Sequence, residues 1–598
     1  MKGNKQLHFG VIFSNLDDTC QYDIWLGIVD FAHKNGIQLT AYVGMYQTTN
    51  YDIASHYETC FEIISNNDSL DGVILFSGFI ANTVSTEDFE AYISKISDRF
   101  PLVSISGVIP GIPSVLIDNM SGTYDAVEHL IKAHGKKNIA FIKGPDGHVE
   151  AEARFEGYKK ALEKNGIAYD ERYVFSGGFT QESGHFAVRK LLRMPGVSAD
   201  AIVACDDTIA TGVLNELKNQ NLLVPGDIAV AGFDDDRDSA TFIPSISTVR
   251  QDFFKIGSMS AGVLLNQINK KHVEPVTYMA PKFISRQSCG CLEVEFFDTE
   301  QRYNNDPSNT DSLSTFVTSG FMLLFKQNTP EEQINEWVTA FVGELKKNPF
   351  SKESFLKILN EILIGYSQSS KDVLLWNDAL SILAQGVKLY NNEIDCPYTV
   401  LTVIILATEL VQEVRFKEVI VKNIETTDSR IMLRRIASNV VSIFDIDSLL
   451  SELYLLLPEL SIDSAVVGLY RAPIKSIFSN ADRTIEHVLG FDSNNIFNSL
   501  SGETDNIPFS DYSRIDKFEF ENLSDSLLLP LFFKDEEYGV LLLPFYPAIS
   551  ADIYETLRVN ISTAIKGAGL IKEVAHQNSL LQSALEQATE AKKASGDS

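Results

Sequence analysis

The 598-residue chain has only six cysteines, Cys20, Cys60, Cys205, Cys289, Cys291 and Cys396, and no two are spaced Cys-x-x-Cys. That excludes a zinc ribbon or a thioredoxin-type redox motif. The only close pair, Cys289-Gly290-Cys291, reads as reduced thiols. Positive charge is also scarce, with 50 Lys and Arg against 80 Asp and Glu, a formal net charge of −30. Such a surface repels phosphate backbones and anionic lipid, so direct nucleic-acid binding is not expected. No apolar run approaches the roughly 20 residues that span a bilayer. The most apolar stretch is Val400 to Leu406, and Phe9 to Phe13 is too short for a signal-peptide core. The expected location is the cytoplasm, without a membrane. HExxH, GxSxG and P-loop strings are missing, and Asp234-Asp235-Asp236 lacks EF-hand spacing. No enzyme activity, metal or cofactor is expected, and lone histidines read as structural.

The hydrophobic content of 44% is that of globular protein, and the length implies several domains. Residues 8–290 alternate short apolar runs with helical stretches. The runs are Phe9–Phe13, Leu39–Val43, Gly72–Phe76, Leu102–Ile105, Val115–Ile117, Ile139–Ile142, Ala201–Ala204 and Ile228–Gly232. Most are continuously apolar, as in parallel strands buried on both faces. Helices are read at Tyr22–Lys34, Tyr124–Ala133 and Ala151–Lys164. The fold class is α/β, doubly wound. Polar loops follow the strands at Ser14-Asn15, Ser77-Gly78, Lys143-Gly144 and Asp206-Asp207, where such sheets bind ligands.

After Cys291 the text is polar and reads as a linker over 293–313. A helical connector follows over 314–430, with Pro330-Glu331-Glu332 suited to a helix start and Trp337, Phe341 and Leu345 on one buried face. Residues 431–566 return to mixed α and β, with strands at Ala465–Tyr470, Ser526–Phe533 and Gly539–Pro544, a turn at Lys534–Glu537 and a helix from about 549. Over 567–592, Ile571, Val574, Asn578, Leu581, Leu585 and Ala588 form a heptad seam, with Asn578 at an a position, before a tail at 593–598. The seam implies a homodimer.

The segment Val224-Pro-Gly-Asp-Ile-Ala-Val-Ala-Gly-Phe-Asp-Asp-Asp236, with Ile243-Pro-Ser-Ile-Ser-Thr-Val-Arg-Gln-Asp252 after it, resembles the ligand-binding domain of the LacI/GalR family. Glu128-His-Leu130, Arg154-Phe-Glu-Gly-Tyr158 and Asp206-Asp-Thr-Ile-Ala210 add to the resemblance, which covers residues 6–292. It implies a bilobed, periplasmic-binding-protein-like fold of two parallel sheets with a small, sugar-like effector in the cleft. By position it implies Arg154 as a forked donor, Asp206 and Asp234 as acceptors, Ser77 as a small donor, Phe179 as a stacking platform, and Asn15 and Tyr22 at the first strand's loop. The first strand begins near residue 8, so the family's DNA-reading helix-turn-helix is not expected ahead of it.

Residues 431–566 resemble a GAF-type domain through Leu433-Arg-Arg-Ile436, Phe444-Asp-Ile-Asp-Ser-Leu-Leu450 and Tyr538-Gly-Val-Leu-Leu542. That resemblance implies packing, dimerisation and relay into the coiled coil. No output module is read after it, and His576 is not read as a phosphoacceptor. The expected function is a small-molecule sensor signalling to a partner or output module. The alternatives are a transcription regulator reaching DNA through a partner or another surface, the input half of a histidine kinase or diguanylate cyclase, and a ligand-sequestering protein.

Overall fold

The structure, a computed structural model, describes residues 6–291 apart from 17, 48–52, 82–83 and 237, and residues 312–441 apart from 327–328 and 369–372. It further describes 443–596 apart from 444–445, 475–484, 492–495, 499–524, 534–535 and 548. These fall into two compact units, one of residues 1–291 with 432–598, the other of residues 292–431.

In the first unit, one lobe opens with β1 (His8–Phe13), α1 (Thr19–Asn35), β2 (Gln38–Val43), the short pair β3 (Met45–Gln47) and β4 (Ile53–Ser55), and α2 (Tyr57–Asn66). β5 (Gly72–Leu75), α3 (Ser77–Ala81), α4 (Thr86–Ser97), β6 (Leu102–Ile105) and β7 (Ser114–Ile117) follow. The chain then enters a second lobe through α5 (Asn119–His134), β8 (Ile139–Ile142), α6 (Val149–Lys164), β9 (Val174–Phe175) and α7 (Gln181–Arg193). That lobe continues through β10 (Ala201–Ala204), α8 (Asp207–Asn219), β11 (Ala229–Ala231) and β12 (Thr248–Arg250). It returns to the first lobe for α9 (Phe253–Ile268) and β13 (Val276–Met279), and crosses back to β14 (Lys282–Ile284), antiparallel to β12. Three crossings between two parallel sheets make a hinge-joined bilobed domain. The apolar runs form strands because both faces are covered: every residue of β1, β8 and β10 is buried. α1 and α9 cross so closely that a Cβ on Gly27 would lie 1.9 Å from the Phe254 carbonyl oxygen, and one on Gly257 1.9 Å from that of Ile24. Only glycine allows that approach.

The second unit is helical: α10 (Leu313–Phe325), α11 (Glu331–Leu345), α12 (Lys352–Gln368), α13 (Leu375–Leu389) and α14 (Pro397–Val441), whose residues through Ile431 belong here. Trp337, Phe341 and Leu345 are buried in its core, as their spacing predicts. Its Trp337 and Trp376 rings meet edge-on at 5.1 Å. Most of the linker read at 293–313 lies outside the described residues; α10 starts at Leu313, capped by the Ser312 side chain.

The rest of the first unit holds α15 (Ile446–Leu456), β15 (Ala465–Ile474), β16 (Ile485–Phe491), β17 (Ile496–Asn498), β18 (Asp525–Phe533), β19 (Glu536–Pro544) and α16 (Ala551–Gly596). The turn read at Lys534–Glu537 is shorter than expected, since Glu536 and Glu537 already pair in β19. The helix read from about 549 and the segment read as a heptad seam over 567–592 are one helix of 46 residues. It packs on the sheet through Tyr554, Leu557, Ile561 and Ile565, and described residues from Ile571 onward are exposed.

The sequence separates this region from the bilobed domain, but one sheet joins them. Its order is β13-β7-β6-β5-β1-β2-β18-β19-β15-β16-β17. The junction is parallel, pairing Leu39 to Tyr42 with Asp525 to Leu528. It covers the β2 edge, which would otherwise present unpaired backbone groups. Pro530 lies past the last residue paired to β2, where its missing N–H costs the junction nothing. Thr40 Oγ1 lies 3.1 Å from Ser526 Oγ, and His33 Nε2 lies 2.6 Å from Asp525 Oδ2. On β19 the buried Glu537 accepts from Thr59 of α2 (3.0 Å) and from Tyr470 of β15 (2.7 Å).

Candidate functional site

The sequence-predicted residues Arg154, Asp206 and Asp234 come together in the second lobe. Arg154 projects from α6 and is buried. Its Nε donates to Asn119 Oδ1 (2.8 Å), its Nη1 to the Cys205 carbonyl (2.7 Å), and its Nη2 lies 3.1 Å from Asp234 Oδ1. The guanidinium stacks on the Phe233 ring at 3.8 Å. Burial opposes its charge, and Asp234 together with Cys205, Glu150 and Asp206 outweighs it, so its basicity rises.

Asp206 ends the β10 loop and caps α8, accepting from the Ile209 N–H at 2.6 Å. Burial first, then the neighbouring Asp234, pushes its carboxyl up to about 7. Asp207 beside it is fully committed. It accepts from Ser239 (2.6 Å), Thr248 (2.7 Å) and the Asp236 N–H (3.0 Å), fixing the loop that carries Asp234. Burial lifts Asp207 well above the usual carboxylate range and Asp236 to about 6.

Asp234 and Asp235 have φ of 110° and 59°, left-handed backbone that non-glycine residues rarely adopt. Such strain costs of order 1–3 kcal/mol per residue and persists only where contacts hold it. Here Asp235 is held by Arg286 at 2.6 Å and by Arg250, and Asp234 by Gln251 and Arg154. The first lobe faces this loop with further acid: Asp18 acts electrostatically on Asp236, and Asp234 and Asp236 on the Cys20 thiol. The cleft therefore gathers more carboxyl groups than cations.

Phe179 is 36% exposed, its ring edge-on to His148 at 5.0 Å and close over Gly144. Burial and the nearby Arg154 lower His148, which caps α6. Ser77 is buried at the carboxyl end of β5, but its hydroxyl donates to the Ile105 carbonyl (3.1 Å) and pairs with Ser104. Asn15 follows β1, its N–H 3.4 Å from Gln21 Oε1. Tyr22 turns elsewhere: its hydroxyl donates to the Ile549 carbonyl (3.3 Å) and its ring meets Phe545 edge-on. Asn119, Gln251, Phe233 and Glu150, whose carboxyl is raised by burial, belong to the cluster and escape sequence reading. Of these, Phe233 carries a signal that could have found it, since it immediately precedes Asp234.

A hinged pair of parallel lobes with polar side chains converging between them defines a ligand-sensing domain. The periplasmic binding protein-like domain family matches residues 127–289. The transcriptional regulator RegA of Clostridium saccharobutylicum is 30% identical over 241 residues, 40% of this chain and 70% of that protein. The repressor CytR of Escherichia coli is 31% identical over 242 residues, 40% of this chain and 68% of that protein. Through this domain the chain belongs to the LacI/GalR family. A solved structure, the transcription regulator CcpA of Lactococcus lactis, is 24% identical, covers 47% of this chain and 99% of that chain, and superposes with a TM-score of 0.39. None of the described helices is long and apolar enough to cross a membrane.

Proposed function

We propose that the chain is a sensor of a sugar or polyol whose binding closes the two lobes. The observation that carries this reading is the excess of carboxyl groups over cations beside the Arg154 guanidinium. Buried Asp206, raised to about 7, is poorly satisfied as an anion and favours a ligand that brings hydroxyl donors. Arg154 would orient one ligand oxygen, and Phe179 would cover an apolar sugar face. An anionic ligand would add charge to a site already rich in it.

Closure would bias a two-state equilibrium through differential affinity for the open and closed lobes. The shared sheet supports a relay from β2 through β18 into α16. The GAF-like domain would serve this relay, and the exposed seam on α16 would pair two copies as a parallel coiled coil. The signal then reaches a partner or an output module. A second reading, transcription regulation, is favoured by the relatives, which are named as transcriptional regulators. The charge of −30 directs that reading toward a protein partner on DNA.

The test is a thermal-shift screen of the full chain against neutral sugars, polyols, amines and carboxylates. A neutral polyhydroxylated compound is expected to raise the melting temperature of the wild type and not of Arg154→Met. Stabilisation by carboxylates alone refutes the reading.

A further inference from the structure

Outside the set of cleft residues, four side chains converge from two segments about 160 positions apart. His129 and His134 lie on the last turns of α5, and Cys289 and Cys291 on the segment that leaves the sensor domain. One ligand atom from each, two imidazole nitrogens and two sulfurs, fall within 4.8 Å of one another. The two imidazole Nε2 atoms are 3.2 Å apart. Cys291 Sγ is 3.4 Å from each of them, and Cys289 Sγ is 3.6 Å from His129 Nε2.

These separations have a simple geometric meaning. Around a tetrahedral zinc ion, with Zn–N about 2.05 Å and Zn–S about 2.3 Å, the ligand atoms lie about 3.4 Å apart for N···N and about 3.6 Å for N···S. The four observed separations lie within about 0.2 Å of these values, and the whole set lies within 4.8 Å, within reach of side-chain adjustment. Ordinary packing gives no reason for two imidazole nitrogens and two thiols to aim at one point. Gly290 makes the convergence possible. Its φ of 108° reverses the chain between the two cysteines, and a Cβ there would sit 3.2 Å from His134 Nδ1.

We propose that His129, His134, Cys289 and Cys291 form a structural zinc site. Four protein ligands close the coordination sphere and leave no open position for substrate, the mark of a structural rather than a catalytic site. The position fits that role. Asn119, which holds Arg154, starts α5, and His134 ends it about 22 Å further on at about 1.5 Å per residue. The ion would clamp the last residues of the sensor domain to the far end of a cleft helix. Binding replaces two S–H bonds by two Zn–S bonds and releases two protons to solvent. One is the proton that Cys289 Sγ directs to the Arg286 carbonyl at 3.2 Å.

The experiment is metal analysis of the reduced, full-length protein after incubation with zinc and desalting, with cobalt(II) as a spectroscopic probe. One equivalent of zinc per chain is expected. Cobalt should give the intense visible bands of a tetrahedral site and a thiolate charge-transfer band in the near ultraviolet. Cys289→Ser/Cys291→Ser and, separately, His129→Ala should lose the metal, while Cys396→Ser, in the helical unit, keeps it. Should the cysteine variant fail to fold, the cobalt spectrum of the wild type decides. No bound metal, an octahedral cobalt spectrum, a Cys289–Cys291 disulfide in protein purified without reductant, or a stoichiometry indifferent to His129→Ala overturns the assignment.

Discussion

Replacing Asp206 by Asn should stabilise the ligand-free protein, and the gain should depend on pH in one direction. Asp206 is 6% exposed, and its carboxyl sits at about 7 against an ordinary 3.8. A raised carboxyl pKa means that the folded state holds its proton more tightly than the unfolded chain does. The associated stability is fully present below about pH 4 and is lost as pH rises through about 7. Three pH units at about 1.4 kcal/mol each put the loss at up to about 4 kcal/mol by pH 8.5. Asn carries no charge to bury, and it caps a helix about as well as Asp, so the Ile209 bond survives. At about 2–4 °C per kcal/mol for a domain of this size, the variant should melt up to about 8–16 °C higher at pH 8.5. The difference should shrink steadily toward pH 5. The assay is differential scanning calorimetry of both proteins from pH 5 to 8.5, following the transition that the substitution moves. An offset that stays flat with pH, or a variant less stable at pH 8.5, would show that Asp206 is not held as a strained buried acid.

Arg154→Met should leave Asp234 without its buried cation and cost about 3–5 kcal/mol, read by chemical denaturation, and should abolish binding of the compound found in the thermal-shift screen. Phe179→Ala should leave the melting temperature within about 2 °C, because the ring is already 36% exposed. Its affinity for a sugar should fall about 2- to 12-fold by calorimetry, the worth of about 0.5–1.5 kcal/mol of ring contact; unchanged affinity removes Phe179 from the site. Glu537→Ala strips Thr59 and Tyr470 of a buried acceptor and should cost at least about 2 kcal/mol, with Glu537→Gln milder. Leu581→Asp/Leu585→Asp should convert a dimer to a monomer in sedimentation velocity while leaving ligand binding intact; a dimer that survives places the interface elsewhere.

The bilobed domain was legible because its strands are buried on both faces, so Phe9–Phe13 and Ile139–Ile142 stand out as unbroken apolar runs. The cleft acids were legible through Asp206-Asp207 and the Gly-Phe-Asp-Asp-Asp run, which sit at strand ends. Distance in sequence hid the rest. Leu39 pairs with Asp525 across 486 positions, and nothing local in either strand names its neighbour. The same distance hid the Cys/His cluster, since Cys289-Gly-Cys291 carries only half of a ligand set. His129 and His134 are five apart on a helix, outside the three-or-four spacing that marks one face. Tyr22 is a further case: its place beside the first strand's loop suggests the cleft, and nothing local in the sequence names Phe545, whose ring it meets edge-on.

That shared sheet is the observation on which the proposed relay from the cleft to the C-terminal helix rests. In a bilobed sensor whose β2 edge is free, closure need only rotate one lobe against the other. Here β1 is hydrogen-bonded to β2, and β2 to β18, so the cleft loop after β1 and the sheet under α16 are one hydrogen-bonded surface. Tyr22 of α1 also meets Phe545, the residue after β19, edge-on. A ligand that draws Asp18 toward Asp236 would load this surface rather than a flexible tether. The differential contact energy that closes the lobes would then act on α16 through backbone hydrogen bonds, which yield far less than a linker does.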